Sequence, residues 1–251
     1  MFLVVVRALV EAKAGAQAAN VTGLSAADLR HRLQGALPRV LMSDADGDKL
    51  TAISDRLDEL GFITLVCDPR LAPTDADRVL AKSFRIEPAE LVAIDGGGGE
   101  HDVPWTAIEA IQRGSRTHVQ KIEEKTVTQK FDATRAVLSG GLILTKKQEI
   151  VTVRQTETAE PFALVQRGDG EPDVMLYERR MDYRTLGRDM QPSSRANLEA
   201  LVKRLRTAAP TAIYDERVAR PGFLTALPSS SVDPVDLALH LVSLALRRGV
   251  R

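Results

Sequence analysis

Apolar positions fall into a repeating order of short runs and periodic stretches from the first residue. Phe2 to Val6 is an unbroken β-branched and aliphatic run and predicts a buried strand. Leu9 to Asn20 is Ala-rich and predicts a helix. Thr22-Gly23-Leu24-Ser25 breaks it, and Ser25 is placed to cap a second helix through Leu33. Pro38 to Met42 predicts a short strand. Asp46 or Asp48 then caps a third helix, in which Leu50, Ile53, Leu57 and Leu60 recur three and four apart. Gly61 stops it at the position after the C-cap, and Phe62 to Cys67 is the next strand. The predicted order over residues 1–67 is β-α-α-β-α-β.

Those residues carry a resemblance. TGLSAADLRHRLQGALPRVL, followed by a helix and GFITLV, resembles the C-terminal domain of bacterial ribosomal protein L7/L12. The resemblance implies an α/β sandwich that serves as an interaction module. It departs from the family where a lysine-rich second helix is expected, since Asp28, Arg30, His31 and Arg32 stand there.

Residues 68–78, with two prolines and no apolar period, are expected to be a linker. Beyond them, Phe84–Ile86 and Leu91–Ile94 read as strands around a hairpin whose tip is Gly96 to Gly99. Val103 to Ile111 continues as strand or short helix, with Val103, Trp105, Ile108 and Ile111 expected in the core. Further short strands are expected at 141–145, 150–155, 161–166 and 174–178. An amphipathic helix over Ser194 to Ala208 closes the series, with Leu198, Leu201, Val202 and Leu205 in one stripe and Pro210 beyond. Strands followed by one helix, with the segment VPWTAIEAI, look like a bacterial pleckstrin-homology-like domain over 79–210. The resemblance implies a β-barrel with a C-terminal helix.

Residues 211–251 read as a Pro/Gly/Ser-rich linker and a last helix, with Asp233 as N-cap and Pro234 at its first position. Asp236, His240, Ser243 and Arg247 form one narrow polar stripe, and the remainder is apolar. A helix apolar on most of its circumference must be covered, by its own chain or by a partner. The loose segment before it favours docking or self-association, with Leu237, Leu241 and Leu244 as the interface.

Composition narrows the function classes. Of the 251 residues, 44% are hydrophobic and 27% charged, an ordinary soluble globular balance, and the elements and resemblances above make the expected class α+β. Lys+Arg and Asp+Glu are 34 each, which argues against a surface committed to nucleic acid. The single cysteine, Cys67, excludes an internal disulfide and a Cys-based four-ligand zinc site, and a cytoplasmic location is expected. The N-terminal run is too short, and too soon interrupted by Arg7 and Glu11, for a signal or membrane-spanning segment.

Few residues suggest chemistry. Asp44, Asp46 and Asp48 have the alternation of a calcium loop, but Lys49 stands where the sharp turn needs glycine. The same acidic residues suit a helix cap. Gly96 to Gly99 lacks the Lys-Ser/Thr of a phosphate loop. His101-Asp102 lacks a nucleophile partner, and no cofactor motif is present. The electrostatic signal lies over 111–154, where nine Lys and Arg meet four Asp and Glu. Arg113, Arg116, Lys121, Lys146 and Lys147 are its candidate binding residues, with a solvated face as the plain alternative.

These features lead to an expectation of a non-enzymatic adaptor or scaffold acting through protein contacts or self-association. The alternatives are a peripheral binder of anionic lipid or a phosphate ligand through the 111–154 face, and a metal-dependent enzyme of unrecognised type.

Overall fold

The structure, a computed structural model, describes residues 1–8, 12–131, 145–220 and 222–249. It is a mixed α+β fold. The first strands and helices follow the predicted order: β1 (Phe2–Ala8), α1 (Ala12–Thr22), α2 (Ala26–Arg32), β2 (Arg39–Ser43), α3 (Gly47–Glu59) and β3 (Phe62–Cys67). Ser25 accepts from Asp28 N and Asp46 accepts from the amides of Asp48 and Lys49, so both helices start on side-chain caps. β1 is central and antiparallel to both neighbours, with Val4 opposite Val40 and Leu65.

Alternation along β1 gives this sheet two apolar faces. Leu3 and Val5 pack with Leu41, Leu29, Leu50 and Leu57 beneath the three helices. Phe2, Val4 and Val6 pack with Leu65 and Cys67 on the other side. That second face is covered from far along the chain, by Leu237, Leu241 and Ala245 of α5 (Pro234–Arg247).

The remaining strands are β4 (Val79–Ile86), β5 (Glu90–Asp95), β6 (Glu100–Pro104), β7 (Ile108–Phe131), β8 (Thr145–Arg167), β9 (Val174–Tyr177) and β10 (Ile213–Asp215). They form one seven-stranded sheet in the order β10-β7-β8-β9-β4-β5-β6. Among the described residues β6 and β10 are free edges, so the sheet is open, in place of the closed barrel that the sequence led us to expect. The separate strands expected at 150–155 and 161–166 are one strand, β8, and residues 141–144 lie outside the described residues.

Period-2 alternation again divides the side chains. Ala163, Val165, Val174 and Leu176 face α4 (Ser194–Ala208), where Leu198, Leu201, Val202 and Leu205 meet them. Val103, Ile108 and Ile111 are buried in the same cluster, and Trp105 is partly buried at its margin. Phe162, Leu164, Met175 and Tyr177 face the other way and pack on Val235, Leu239 and Val242 of α5. Phe162 is 2.3 Å from where a Cβ on Gly114 would stand, so only glycine fits that point of β7.

α5 is therefore buried between two sheets, and the expected docking role of Leu237, Leu241 and Leu244 is corrected. Leu237 and Leu241 are fully buried, and Leu244 is partly buried against the same N-terminal sheet. Asp236 and Ser243 of the polar stripe face inward too, toward Arg116 and Gln112 of the larger sheet, while Arg247 is exposed.

The chain divides into two compact units, Met1–Arg116 with Pro161–Arg251, and Thr117–Glu160. Asp68–Arg78 is not a boundary between them. Its polar residues are used internally: Asp68 and Thr74 cap short 3-10 turns, Asp75 accepts from Tyr177 at 2.7 Å, and Arg78 is buried. No helix among the described residues is long and apolar enough to cross a membrane.

Candidate anion-binding cleft

The basic residues singled out after Ile111 are placed in structural pairs. Arg113 forks onto Glu199 of α4, with Nη1 and Nη2 donating at 2.8 and 2.6 Å. That pair holds the Glu199 carboxyl below its usual range. Arg116 donates from Nη2 to Asp236 Oδ1 at 2.6 Å, and Arg78 Nη1 donates to the same oxygen at 2.5 Å. Asp75 and Asp233 stand 3.6 Å from Arg116. These contacts fasten α4 and α5 to β7 and leave neither arginine available as a binding cation. The side chains of Lys121, Lys146 and Lys147 lie outside the described residues.

The other candidates resolve into local structure. Asp44 accepts from Asp46 N at 3.1 Å and from Lys49 Nζ at 2.6 Å, while Asp46 caps α3 and Asp48 lies in its first turn. No group of three or more metal-ligating side chains is placed to hold an ion among the described residues. His101 pairs with Asp95 at 2.9 Å across the hairpin rather than with Asp102, and Asp95 also accepts from the amides of Gly97 and Gly99. Cys67 is buried, which pushes its thiol up to about 11, away from nucleophilic use at neutral pH.

A different set of arginines is unspent. Arg39 opens β2 directly after Pro38 and is only 7% exposed. Among the described residues it has no hydrogen bond and no ion pair; its one contact of note is the Phe223 ring, 5.8 Å from its guanidinium carbon. Its Nε is sealed from solvent without a partner. Sealed nitrogens also occur on Arg78, Arg113, Arg116 and Arg217, but each of those guanidinium groups holds a carboxylate. Burial with no compensating charge lowers the Arg39 pKa from its ordinary value, although an arginine remains protonated at any physiological pH.

Arg39 lies against Gly35, which lines an open cleft of about 540 Å3. One wall residue is Gly35, at φ +92°, and Arg39 Nη2 is 2.4 Å from the point a Cβ there would occupy. The guanidinium thus fills the space of the missing side chain. Arg7 from β1 and Arg220 from the turn after β10 line the same cleft, both exposed and without a side-chain partner among the described residues.

The opposing charges in the cleft are largely engaged. Asp215 takes the Arg217 backbone N–H and its Nε, each at 2.8 Å, and Glu216 accepts from the Tyr214 hydroxyl. Arg217 also donates to Leu37 O at 2.9 Å, tying the turn after β10 to the segment that enters β2. Arg7 and Arg220 therefore line the opening without an ion-pair partner among the described residues, Arg39 lies behind Gly35, and Glu216 keeps one carboxylate charge in the cleft. Sequence reasoning passed over these arginines because they are single charges far apart in the chain. The available signal was Arg39 itself, a cation at the head of an apolar strand.

Among the described residues, two more hollows border named polar side chains. One of about 600 Å3 runs beside α4, but its Arg204 is engaged by Asp189 and Leu186 O. The other, of about 130 Å3, lies between β8 and α5 and is lined by Arg78, Gln166, Asp173, His240, Ser243 and Arg247. Burial lowers the His240 pKa and raises that of Asp173. No family model matches the chain, and no curated protein or solved structure matches it.

Proposed function

We propose that the protein is a non-enzymatic adaptor, and that it engages an acidic segment of a protein partner through the cleft of Arg7, Arg39 and Arg220. The observation that carries this reading is Arg39, a buried guanidinium without a counter-charge packed against Gly35 of the cleft wall. Desolvating a lone charge costs several kcal/mol, so such a group is retained where a ligand supplies its counter-charge. The resemblance of residues 1–67 to the L7/L12 C-terminal domain, an interaction module, supports a binding role rather than turnover.

Fluorescence anisotropy of a labelled Asp/Glu-rich peptide tests it. Binding is expected to weaken as ionic strength rises, because exposed charges are screened over about 8 Å at physiological salt. R7E with R220E is expected to reduce affinity at least about tenfold, the effect of removing one or two charge-assisted contacts. Binding that is insensitive to both salt and these substitutions refutes the cleft as the contact surface.

A further inference from the structure

The cleft's donor set specifies more than negative charge. We infer that it is a site for a phosphomonoester group, held by Arg39 at the wall and by Arg7 and Arg220 at the opening; this rests on the adaptor reading above. Two guanidinium groups, from β1 and the 217–220 turn, line the cleft, and a third, from β2, reaches its Gly35 wall from behind. A flat carboxylate offers two oxygens and one charge, and one arginine fork saturates it, as Glu199 shows on Arg113. A tetrahedral phosphoryl group offers three oxygens in different directions and nearly two charges, enough for several forks at once.

The size of the cleft points the same way. About 540 Å3 is far more than a lone oxyanion fills and falls within the range of organic-ligand sites. The phosphoryl group therefore belongs to a larger body, and clusters of arginine are a recurring means of reading phosphorylated segments. Gly35 is part of the device: any side chain there would displace the Arg39 fork, which lies 2.4 Å from its Cβ position.

Isothermal titration of the full chain with inorganic phosphate, an O-phosphoserine peptide and the same peptide carrying Glu at that position tests the inference. The phosphopeptide is expected to bind at least about tenfold more tightly than the Glu peptide, with inorganic phosphate competing for the site. R39Q and R220Q are each expected to lose at least about tenfold of phosphopeptide affinity. Arg220 is exposed, so R220Q leaves the core intact and keeps the test decisive if R39Q fails to fold. Inorganic phosphate binding as tightly as the phosphopeptide supports the phosphoryl chemistry and identifies the free ion as its source. Equal affinity for the Glu peptide and the phosphopeptide overturns the phosphoryl inference and leaves the adaptor reading standing. Absence of binding by every probe overturns both, and phosphopeptide binding unchanged in R39Q and R220Q overturns the assignment to this cleft.

Discussion

Truncating Arg39 and truncating Arg116 to methionine are expected to move stability in opposite directions. Arg116 shares Asp236 with Arg78 in a buried cluster, and Arg116→Met removes a compensated charge from beside a carboxylate that is 4% exposed. Arg78 keeps hold of that carboxylate, so the loss is that of the charged hydrogen bonds, about 2 kcal/mol. Arg39→Met keeps an apolar stem against Phe223 and removes an unpaired buried cation, and is expected to stabilise the free protein by about 1 kcal/mol. Urea denaturation of both variants checks this; a loss of stability in Arg39→Met would show that its charge is compensated in the fold. The two residues could not be told apart in the sequence. Arg116 stands in a basic stretch of the sequence, whereas Arg39 is a single cation at the head of an apolar strand. Charge density along a chain does not report pairing, because the partners of Arg113 and Arg116 are 86 and 120 positions away.

Among elements, the local signals were the most legible. Capping by Ser25, Asp46 and Asp233, the strand at Phe62–Cys67 and the helix at Ser194–Ala208 all depend on neighbours in sequence and appear where the pattern puts them. The setting of α5 did not follow from its pattern. An apolar helix with one polar stripe reads alike whether it docks on a partner or lies between two sheets of its own chain. The stripe identifies the difference only in three dimensions: Asp236 takes Arg78 and Arg116, Ser243 takes Gln112, and Arg247 donates to Glu109. His240 completes it in the small cavity, facing Asp173 of the loop before β9, Arg78 of the segment before β4, and Arg247 of its own helix.

This setting gives α5 a pH dependence. Burial, then the charges of Arg247 and Arg78, lower the His240 pKa below 6.5. As pH falls through 6.5 the unfolded chain takes up a proton at this residue that the folded chain does not, so stability declines in that window. The half-buried Asp173 has the opposite sign, because its raised pKa makes the fold bind a proton first, but its window opens lower, upward from 3.8. His240→Gln is expected to flatten the fall in urea midpoint between pH about 7.5 and about 5.5. An unaltered slope would mean that His240 is protonated as readily in the fold as outside it.

For the whole molecule, the α+β class and the order of strands and helices over residues 1–67 could be read from periodicity, but closure and connectivity could not. The larger sheet is open, with β10 parallel to β7 at one edge and the β4–β9 pair also parallel. Parallel pairs join segments remote in sequence and leave no turn signal between them. The Asp68–Arg78 segment misled for a related reason: proline and aspartate mark a chain leaving regular structure, not a chain leaving the fold. The cleft belongs to the same class of feature. It is lined by residues 7, 35 and 220, with 39 behind 35, and these come together only when the segment after β10 is tied to the entry of β2 by Arg217 and Leu37.

The central claim is that the available cations are those of the cleft and not those that follow Ile111. Nitrogen-detected NMR of the arginine Nε–Hε groups, followed during titration with the O-phosphoserine peptide, addresses it most directly. The account predicts that the Arg7, Arg39 and Arg220 signals shift together and saturably, while those of Arg113 and Arg116, held by Glu199 and Asp236, stay in place. Shifts at Arg113 and Arg116 with Arg39 unmoved would contradict it.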